Sequence, residues 1–432
     1  MQIDPQELYG RTERERDQLQ KLKETVNRVS ERVPFYREKL QQQNVRMTSL
    51  QDVRNLPFTI KQDLRDSYPF GMFAVGREEV ARIHASSGTS GKSTVVGYTK
   101  QDLSHWGQMV SRAIRLAGGK TGDLLHNAYG YGLFTGGLGL HAGGEALGVT
   151  VVPASGGQTD RQIQLIQDFG PTILCSTPSY ALHLGERMKQ LGLAPENSSL
   201  QIGIFGAEPW TEEMRAYLEE LFGIKACDIY GLSEVVGPGV AMECHEAQNG
   251  LHIAEDHFLV EVIDPLTLEP VPEGEEGELV FTSLTKEAFP ILRYRTGDIA
   301  SVTREPCQCG RTTARMSRVK GRIDDMLVIR GVNVYPSEIE HQLLQVDGIE
   351  PHYQVKLTTK DTMTYCTLFV ERSRERENIN SVWLQEVIKE RMKTFCLITM
   401  DVEVVEPFTL PRSLGKASRI VDERKVTKVN QT

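Results

Sequence analysis

Between about Tyr98 and Ile229, segments of helical length alternate with short apolar runs: VTVVP (Val149 to Pro153), PTILCS (Pro171 to Ser176) and QIGIFGAEPW (Gln201 to Trp210). A connection long enough to hold a helix carries the chain back across one face of a sheet, so the strands that it joins lie parallel. The chain is therefore expected to be built on a mostly parallel sheet with crossover helices. After Gly250 the texture changes to FLVEVIDP, GELVFTS and IASVT, with residue-by-residue alternation and Pro/Gly turns. That pattern predicts an antiparallel β module over 251–303.

A second change follows VKGRIDDMLVIRGVNVYPSEIE (Val319 to Glu340). A helix from Pro336, strand-like YQVKLTTK and TYCTLFVE, a helix near Asn380 to Lys393 and strand-like MDVEVVE together make a unit large enough to hold its own core. The fold class expected is α/β: a large N-terminal body over 1–323, with the β module inside it, and a small, mobile C-terminal α+β domain over 324–432. Ahead of the body, Leu19, Leu22, Val26, Val29 and Val33 recur at spacings of three and four and stop at Pro34. They predict an amphipathic helix docked by one face, too short in its pattern for a coiled coil.

Charge narrows the function. There are 49 Lys and Arg against 58 Asp and Glu, a net charge of −9, which argues against nucleic acid as the main partner. Met1 to Gln43 is dense in charge with no apolar centre, and no stretch approaches the roughly 18 apolar residues of a membrane span. A soluble, cytoplasmic protein without membrane partners is expected. Seven cysteines, an odd number, point to reduced thiols.

The strongest local signal is HASSGTSGKSTVVGYT, His84 to Thr99. Ser86, Ser87, Thr89, Ser90, Ser93 and Thr94 offer hydroxyl donors, Gly88 and Gly91 let backbone approach an anion, and Lys92 adds positive charge. That is the chemistry of a phosphate cradle. Ser86 stands where the GxxxxGK[ST] nucleotide loop has its first glycine, so it is a different cradle. FGAEPW, DIYGLSE, YRTGD, GRIDDMLVIRGVNVYP and PRSLGKASR follow in order. In this order and spacing they resemble the adenylate-forming superfamily, and VPFYREKL, NAYGYGLFTGGLG, HIAEDHF, FPILRYRTGD and DDMLVIRGVNVYPSEIE narrow the resemblance to the phenylacetate–coenzyme A ligase family.

The resemblance implies a two-step ligase. A carboxylate attacks the α-phosphate of ATP to give an acyl-adenylate and pyrophosphate, and the thiol of coenzyme A then displaces AMP. It places the Ser86 to Thr94 loop around the β- and γ-phosphates, and Glu234 on Mg²⁺. Gly206, Ala207, Glu208 and Tyr230 would line the adenine, with Asp228 and Gly231 beside them. Asp298 would accept the ribose hydroxyls, and Arg322 would contact ribose or phosphate. Lys416 matches the lysine that bridges carboxylate and α-phosphate during adenylation, and Asp324 the hinge. Tyr131, Phe134, Gly136, Ala207 and Pro238 are the candidate lining for an aromatic acid, most simply phenylacetate. Family members are commonly homodimers, and the same is expected here. The rival readings are activation of another aromatic acid, such as an aminobenzoate, for coenzyme A or a carrier protein, and a nucleotide-binding scaffold without turnover. The presence of Lys416 and Glu234 argues against the scaffold.

A separate constellation concerns metal. Cys307 and Cys309 form a CxC turn, and Cys244 and His252 flank an upstream loop. Three thiolates and an imidazole make a closed tetrahedral site for structural Zn²⁺, with His245 the rival fourth ligand. Cys175, Cys227, Cys366 and Cys396 lie in apolar surroundings and are expected in the core.

Overall fold

The computed structural model describes residues 3–41, 46–86, 93–329, 332–360, 363–376, 379–413 and 419–424. Its largest element is a nine-stranded sheet. From one edge to the other run Val302–Thr303, Arg315–Met316, Leu251–Ile253, Gly237–Glu243, Lys225–Leu232, Ile202–Gly206, Ile173–Ser176, Leu124–Asn127 and Thr150–Val152. The last five are parallel, as the alternation of apolar runs and helices predicted. Ile173–Ser176 is buried throughout, which is why it reads as an unbroken apolar run rather than an alternation. Helices Lys100–Leu116, Thr135–Leu147, Thr159–Phe169, Pro178–Gln190 and Glu212–Phe222 make or flank the crossovers. The first is started by a reciprocal cap: Asp102 N donates to Thr99 Oγ1 at 3.0 Å and Thr99 N to Asp102 Oδ2 at 2.9 Å.

Phe258–Ile263, Gly277–Ser283, Tyr294–Ala300 and Gly321–Arg322 form a separate antiparallel sheet. The outermost runs of the 251–303 segment do otherwise. Leu251–Ile253 pairs with Gly237–Glu243, and Val302–Thr303 with Arg315–Met316, so both extend the large sheet. Alternation marks a strand with one buried face but carries no information about which sheet its edge will meet.

The N-terminal helix runs Arg11–Arg32, and Pro34 opens a second, Pro34–Gln41. Leu22, Val29 and Val33 are fully buried, but the same face also buries polar groups that bond across to distant loops. Arg14 donates to the Thr312 carbonyl (2.8 Å), Gln18 to that of Glu255 (2.8 Å) and Thr25 to that of Leu284 (3.2 Å).

The C-terminal part has its own sheet: Asp401–Val405, Met363–Arg372, Ile349–Lys360 and Ile420–Asp422, antiparallel at the centre and parallel at both edges. Helices Pro336–Leu343 and Ser381–Phe395 close it around a core that includes Ile339, Val355, Leu368, Leu384, Ile388 and Met392. All seven cysteines are unbridged, and Cys175, Cys227, Cys366 and Cys396 are buried. Among the described residues, no helix is long and apolar enough to cross a membrane.

Candidate active site

Strand Lys225–Leu232 ends in a tight hairpin whose turn holds Glu234. The hairpin demands glycine: a Cβ on Gly231 would fall 1.9 Å from the Gly237 carbonyl oxygen, and one on Gly206, in the neighbouring strand, 2.0 Å from that of Ile229. The chain then turns through Ala207 at φ 72°, a left-handed conformation costly for a residue with a Cβ. Two motif glycines are thus required by backbone approach. Glu234 itself is buried, and its turn is tied to the start of the helix Thr135–Leu147 through Ser233 and Thr135, whose hydroxyls are 3.1 Å apart.

Two sequence-predicted residues, Arg322 and Tyr230, converge on the carboxylate of a third, Asp298, and a fourth, Asp324, joins them through Arg322. Antiparallel register sets Asp298 opposite Arg322. Arg322 Nη1 donates to Asp298 Oδ1 at 2.6 Å and Tyr230 Oη to Asp298 Oδ2 at 2.6 Å, while Arg322 Nε donates to Asp324 Oδ1 at 2.9 Å. Burial, and then the Asp298 charge, push the Tyr230 phenol well above its ordinary range, so it acts as a donor. Its ring stacks on Phe281, with centroids 6.1 Å apart and planes at 29°. The tyrosine expected to line adenine is therefore also the residue that orients Asp298.

Two other expected nucleotide residues are turned to different partners. Glu208 Oε1 accepts from Ser179 N at 2.7 Å, at the start of the helix Pro178–Gln190. Asp228 joins a buried ionic cluster. Its own N–H donates to Glu243 (3.0 Å), Glu243 accepts from Arg215 (2.7 Å), and Arg318 Nε lies 3.9 Å from the Asp228 carboxylate. Burial pushes the Asp228 carboxyl up to about 6. The Arg318 guanidinium covers the Trp210 ring at 4.4 Å. Sequence reasoning missed this cluster, because its members come from segments far apart in the chain.

The phosphate-loop motif is presented by an antiparallel strand pair, Arg82–Ala85 with Val95–Tyr98. Ser86 N donates to the Thr94 carbonyl at 2.9 Å and Thr94 N to Ser86 Oγ at 3.2 Å, closing the stem. Ser87, Gly88, Thr89, Ser90, Gly91 and Lys92 lie outside the described residues, as does Lys416. Under the stem, His84, Tyr98 and Trp106 form an aromatic cluster. Lys286 rests its Nζ on the Tyr98 ring, 3.5 Å from the centroid, with no hydrogen-bond partner among the described residues. It is 6% exposed, and burial pushes its amine down to about 7. Nothing in SLTKEAFP distinguishes this lysine from a surface one, so the sequence carried no signal for it.

Of the candidate acid-binding residues, Tyr131 Oη accepts from Asn127 Nδ2 at 2.8 Å and lies 3.1 Å from His141 Nδ1. Phe134, 52% exposed, caps the helix that carries Gly136, and a Cβ on Gly136 would touch the Tyr129 ring at 3.4 Å. Pro238 is held from behind by Trp106 Nε1, which donates to its carbonyl at 2.9 Å.

The Cys/His constellation assembles away from these groups. Ligand atoms of Cys244, His252, Cys307 and Cys309 all lie within 4.8 Å of one another, the only such group found among the described residues. Cys244 and Cys307 sulfurs are 3.7 Å apart, and Cys309 Sγ is 3.4 Å from His252 Nε2. His252 Nδ1 meets Thr313 Oγ1 at 2.8 Å, which turns Nε2 toward the thiols. His245 instead faces the Leu116 carbonyl (3.3 Å) and Glu246 (3.2 Å), outside the group.

Comparison with known proteins shows the family. The family model for AMP-binding enzymes matches residues 12–285, and that for the AMP-binding enzyme C-terminal domain matches 331–424. A phenylacetate-coenzyme A ligase of Thermus thermophilus is 52% identical, over 94% of this chain and 96% of its own length. One of Escherichia coli K12 is 48% identical over 98% of each. A solved structure of 2-hydroxyisobutyryl-CoA ligase in the postadenylation state, in complex with 2-HIB-AMP, is 29% identical and superposes with a TM-score of 0.91, over 97% of this chain and 91% of that one. The same ligase in the thioesterification state, 30% identical and covering 97% and 92%, gives 0.71.

Proposed function

Because the chain belongs to the phenylacetate–coenzyme A ligases among the AMP-binding enzymes, we infer that it is an AMP-forming acid–thiol ligase: it joins phenylacetate to coenzyme A, consuming ATP and releasing AMP and pyrophosphate. Relatives at 47–52% identity and near full length, all of that one activity, support neither an aminobenzoate substrate nor an inactive scaffold. The observation in the molecule that carries the reading is the meeting of Tyr230, Arg322 and Asp324 on or beside Asp298.

In the first step a carboxylate oxygen of the acid attacks the α-phosphorus, the bond to the β-phosphate oxygen breaks, and pyrophosphate leaves. In the second, the thiolate sulfur of coenzyme A attacks the acyl carbon and AMP leaves. Bringing an anion to a polyanion makes positioned cations and donors the dominant contribution, each worth about 3–4 kcal/mol of barrier. Asp298 is held by Arg322 and Tyr230, and its carboxylate oxygens are the acceptor type that ribose hydroxyls need. Glu234 offers a buried hard oxygen suited to Mg²⁺, which when bound neutralises charge on the phosphates. Ser86 and the loop after it would receive those phosphates, and Lys416 would bridge carboxylate and α-phosphate. Asp324, tethered to the same arginine as Asp298, is suited to mark the hinge between a body over 1–323 and a lid over 324–432. Tyr131, Phe134, Gly136, Ala207 and Pro238 are assigned to the aromatic acid. A homodimer is the expectation that family resemblance supports.

Cys244, His252, Cys307 and Cys309 fit a structural Zn²⁺: soft donors, four in number, with an imidazole oriented by a hydroxyl. Hydrogen bonding to Cys244 holds the Cys309 thiol well below the ordinary cysteine range, while the same pairing and burial hold Cys244 above it. When bound, the ion would clip the turn 307–310 to the edge of the large sheet and contribute stability. His245 is not a ligand in this reading.

The test is a split of the two half-reactions. Lys416→Ala should abolish phenylacetate-dependent ATP–pyrophosphate exchange yet leave thioester formation from supplied phenylacetyl-adenylate and coenzyme A intact. Equal loss of both would overturn the assignment of Lys416.

A further inference from the structure

The helix Pro178–Gln190 belongs to the large body, yet one of its carboxylates is turned toward the C-terminal part. Glu186 is 2% exposed. Its Oε2 accepts a hydrogen bond from His352 Nε2 at 2.9 Å, and Arg412 Nε stands 3.9 Å from the same oxygen. Arg374 Nη2 stands 3.9 Å from Oε1. One buried anion of the body is thus met by three basic side chains from three separate segments of the C-terminal part. A carboxylate is kept at such depth only where neighbouring charge compensates its lost hydration. By contrast, Lys189 with Glu375 (2.6 Å) and His341 with the half-buried Glu213 (2.9 Å) join the same two units nearer the solvent, where ion pairs contribute little.

Of the segments that meet Glu186, the one with Arg412 leads into PRSLGKASR, and the one with His352 is the strand beside the stretch that follows it. Arg412 stands just before Lys416, and its guanidinium is fixed by a two-pronged bond to the buried Glu371, Nη1 to Oε1 at 2.8 Å and Nη2 to Oε2 at 2.7 Å. Glu371 also accepts from Phe408 N (3.0 Å) and Leu410 N (2.8 Å), pinning the chain that leads into the loop. His352 lies near the start of the strand Ile349–Lys360, whose parallel neighbour Ile420–Asp422 begins just after the loop. Val355 N donates to the Arg419 carbonyl at 2.8 Å, and the Arg419 guanidinium covers the Tyr353 ring at 4.8 Å. Both flanks of PRSLGKASR are therefore linked, through hydrogen-bonded neighbours, to a single carboxylate of the body. The domain arrangement in which this happens is the one shared with the postadenylation state of the ligase compared above.

We propose that Glu186 is a positioning residue for adenylation: it docks His352 and Arg412 so that the loop bearing Lys416 is presented to the nucleotide, and it lets go when the C-terminal part rotates for thioester formation. The proposal rests on the reading of Lys416 as the lysine of the first half-reaction. Glu186 touches no reacting atom and acts only through the segments that it holds.

The experiment measures both half-reactions in the full-length enzyme, wild type and Glu186→Gln, with His352→Gln as a second variant should the first fail to fold. A misplacement of the loop by about an ångström should slow exchange by roughly a hundredfold in kcat, with KM for ATP little changed. Thioester formation from supplied phenylacetyl-adenylate should stay at the wild-type rate, and Glu186→Asp, which keeps the charge, should recover part of the exchange. Equal loss in both halves from both variants, or no loss in either, overturns the proposal. Wild-type enzyme that exchanges nothing with phenylacetate would instead overturn the functional reading, and the role of Glu186 with it.

Discussion

At the scale of single residues, the same side-chain type does opposite work depending on what burial leaves around it. Asp298 accepts hydrogen bonds from both Arg322 and Tyr230. Asp228, equally buried but with its nearest guanidinium at 3.9 Å, is pushed up to about 6. Lys286 is the extreme case, an amine whose closest support is the face of Tyr98. Its ordinary value is 10.5, and burial brings it to about 7 in the folded chain. Between those two values the unfolded chain holds more protons than the folded one, so this group makes stability rise with pH across the window. Below it both states are protonated, and the folded state carries the full cost of a buried charge. Lys286→Met should therefore raise the melting temperature most near about pH 6, with the gain shrinking as the pH is raised toward about 10. Thermal melts of the two proteins across that range check this, and parallel curves would refute it.

At the scale of elements, sequence spacing brought out what is local and missed what depends on pairing. The CxC turn and the preference for His252 over His245 were visible, but what carries His252 to the cysteines is the pairing of the strand Leu251–Ile253 with both Arg315–Met316 and Gly237–Glu243. Adjacent register sets Nε2 of His252 on the cysteines, whereas His245 hydrogen-bonds back to a helix end. Elemental analysis of the purified protein should find about one zinc per chain, lost in Cys309→Ser and retained in His245→Ala. Chelation should lower the melting temperature of wild type and leave Cys309→Ser unmoved. Metal retained by Cys309→Ser would remove the site.

At the scale of the whole molecule, apolar packing falls into distinct clusters. One large cluster and a smaller one, centred on residues such as Ile163, Leu184, Leu218 and Phe222, fill the body, while a third is confined to residues 327–402 with a few neighbours. What joins the C-terminal part to the body is largely polar: Glu186 with His352, Glu213 with His341, Lys189 with Glu375. The solvent-facing contacts among these suit a unit that must change partners, because they can be exchanged for water at small cost. Calorimetry should therefore resolve two unfolding transitions, with the smaller unit melting independently of nucleotide and the larger one raised by ATP and magnesium. A single transition that shifts as a whole with nucleotide would show the cores to be coupled.

The chain by itself determined the parallel succession of strands, the phosphate-loop motif, the residues around Asp298 and the four metal-type ligands, because each is written in neighbouring residues whose spacing sets a turn, a face or a pair of donors. Only the tertiary structure decided that Tyr230 hydrogen-bonds to Asp298, that Glu208 serves a helix start, that Lys286 is buried without a hydrogen-bond partner among the described residues, and that Glu186 meets three basic groups from another unit. These are contacts between segments remote in sequence, and their strength is set by desolvation, which no local pattern of residues records.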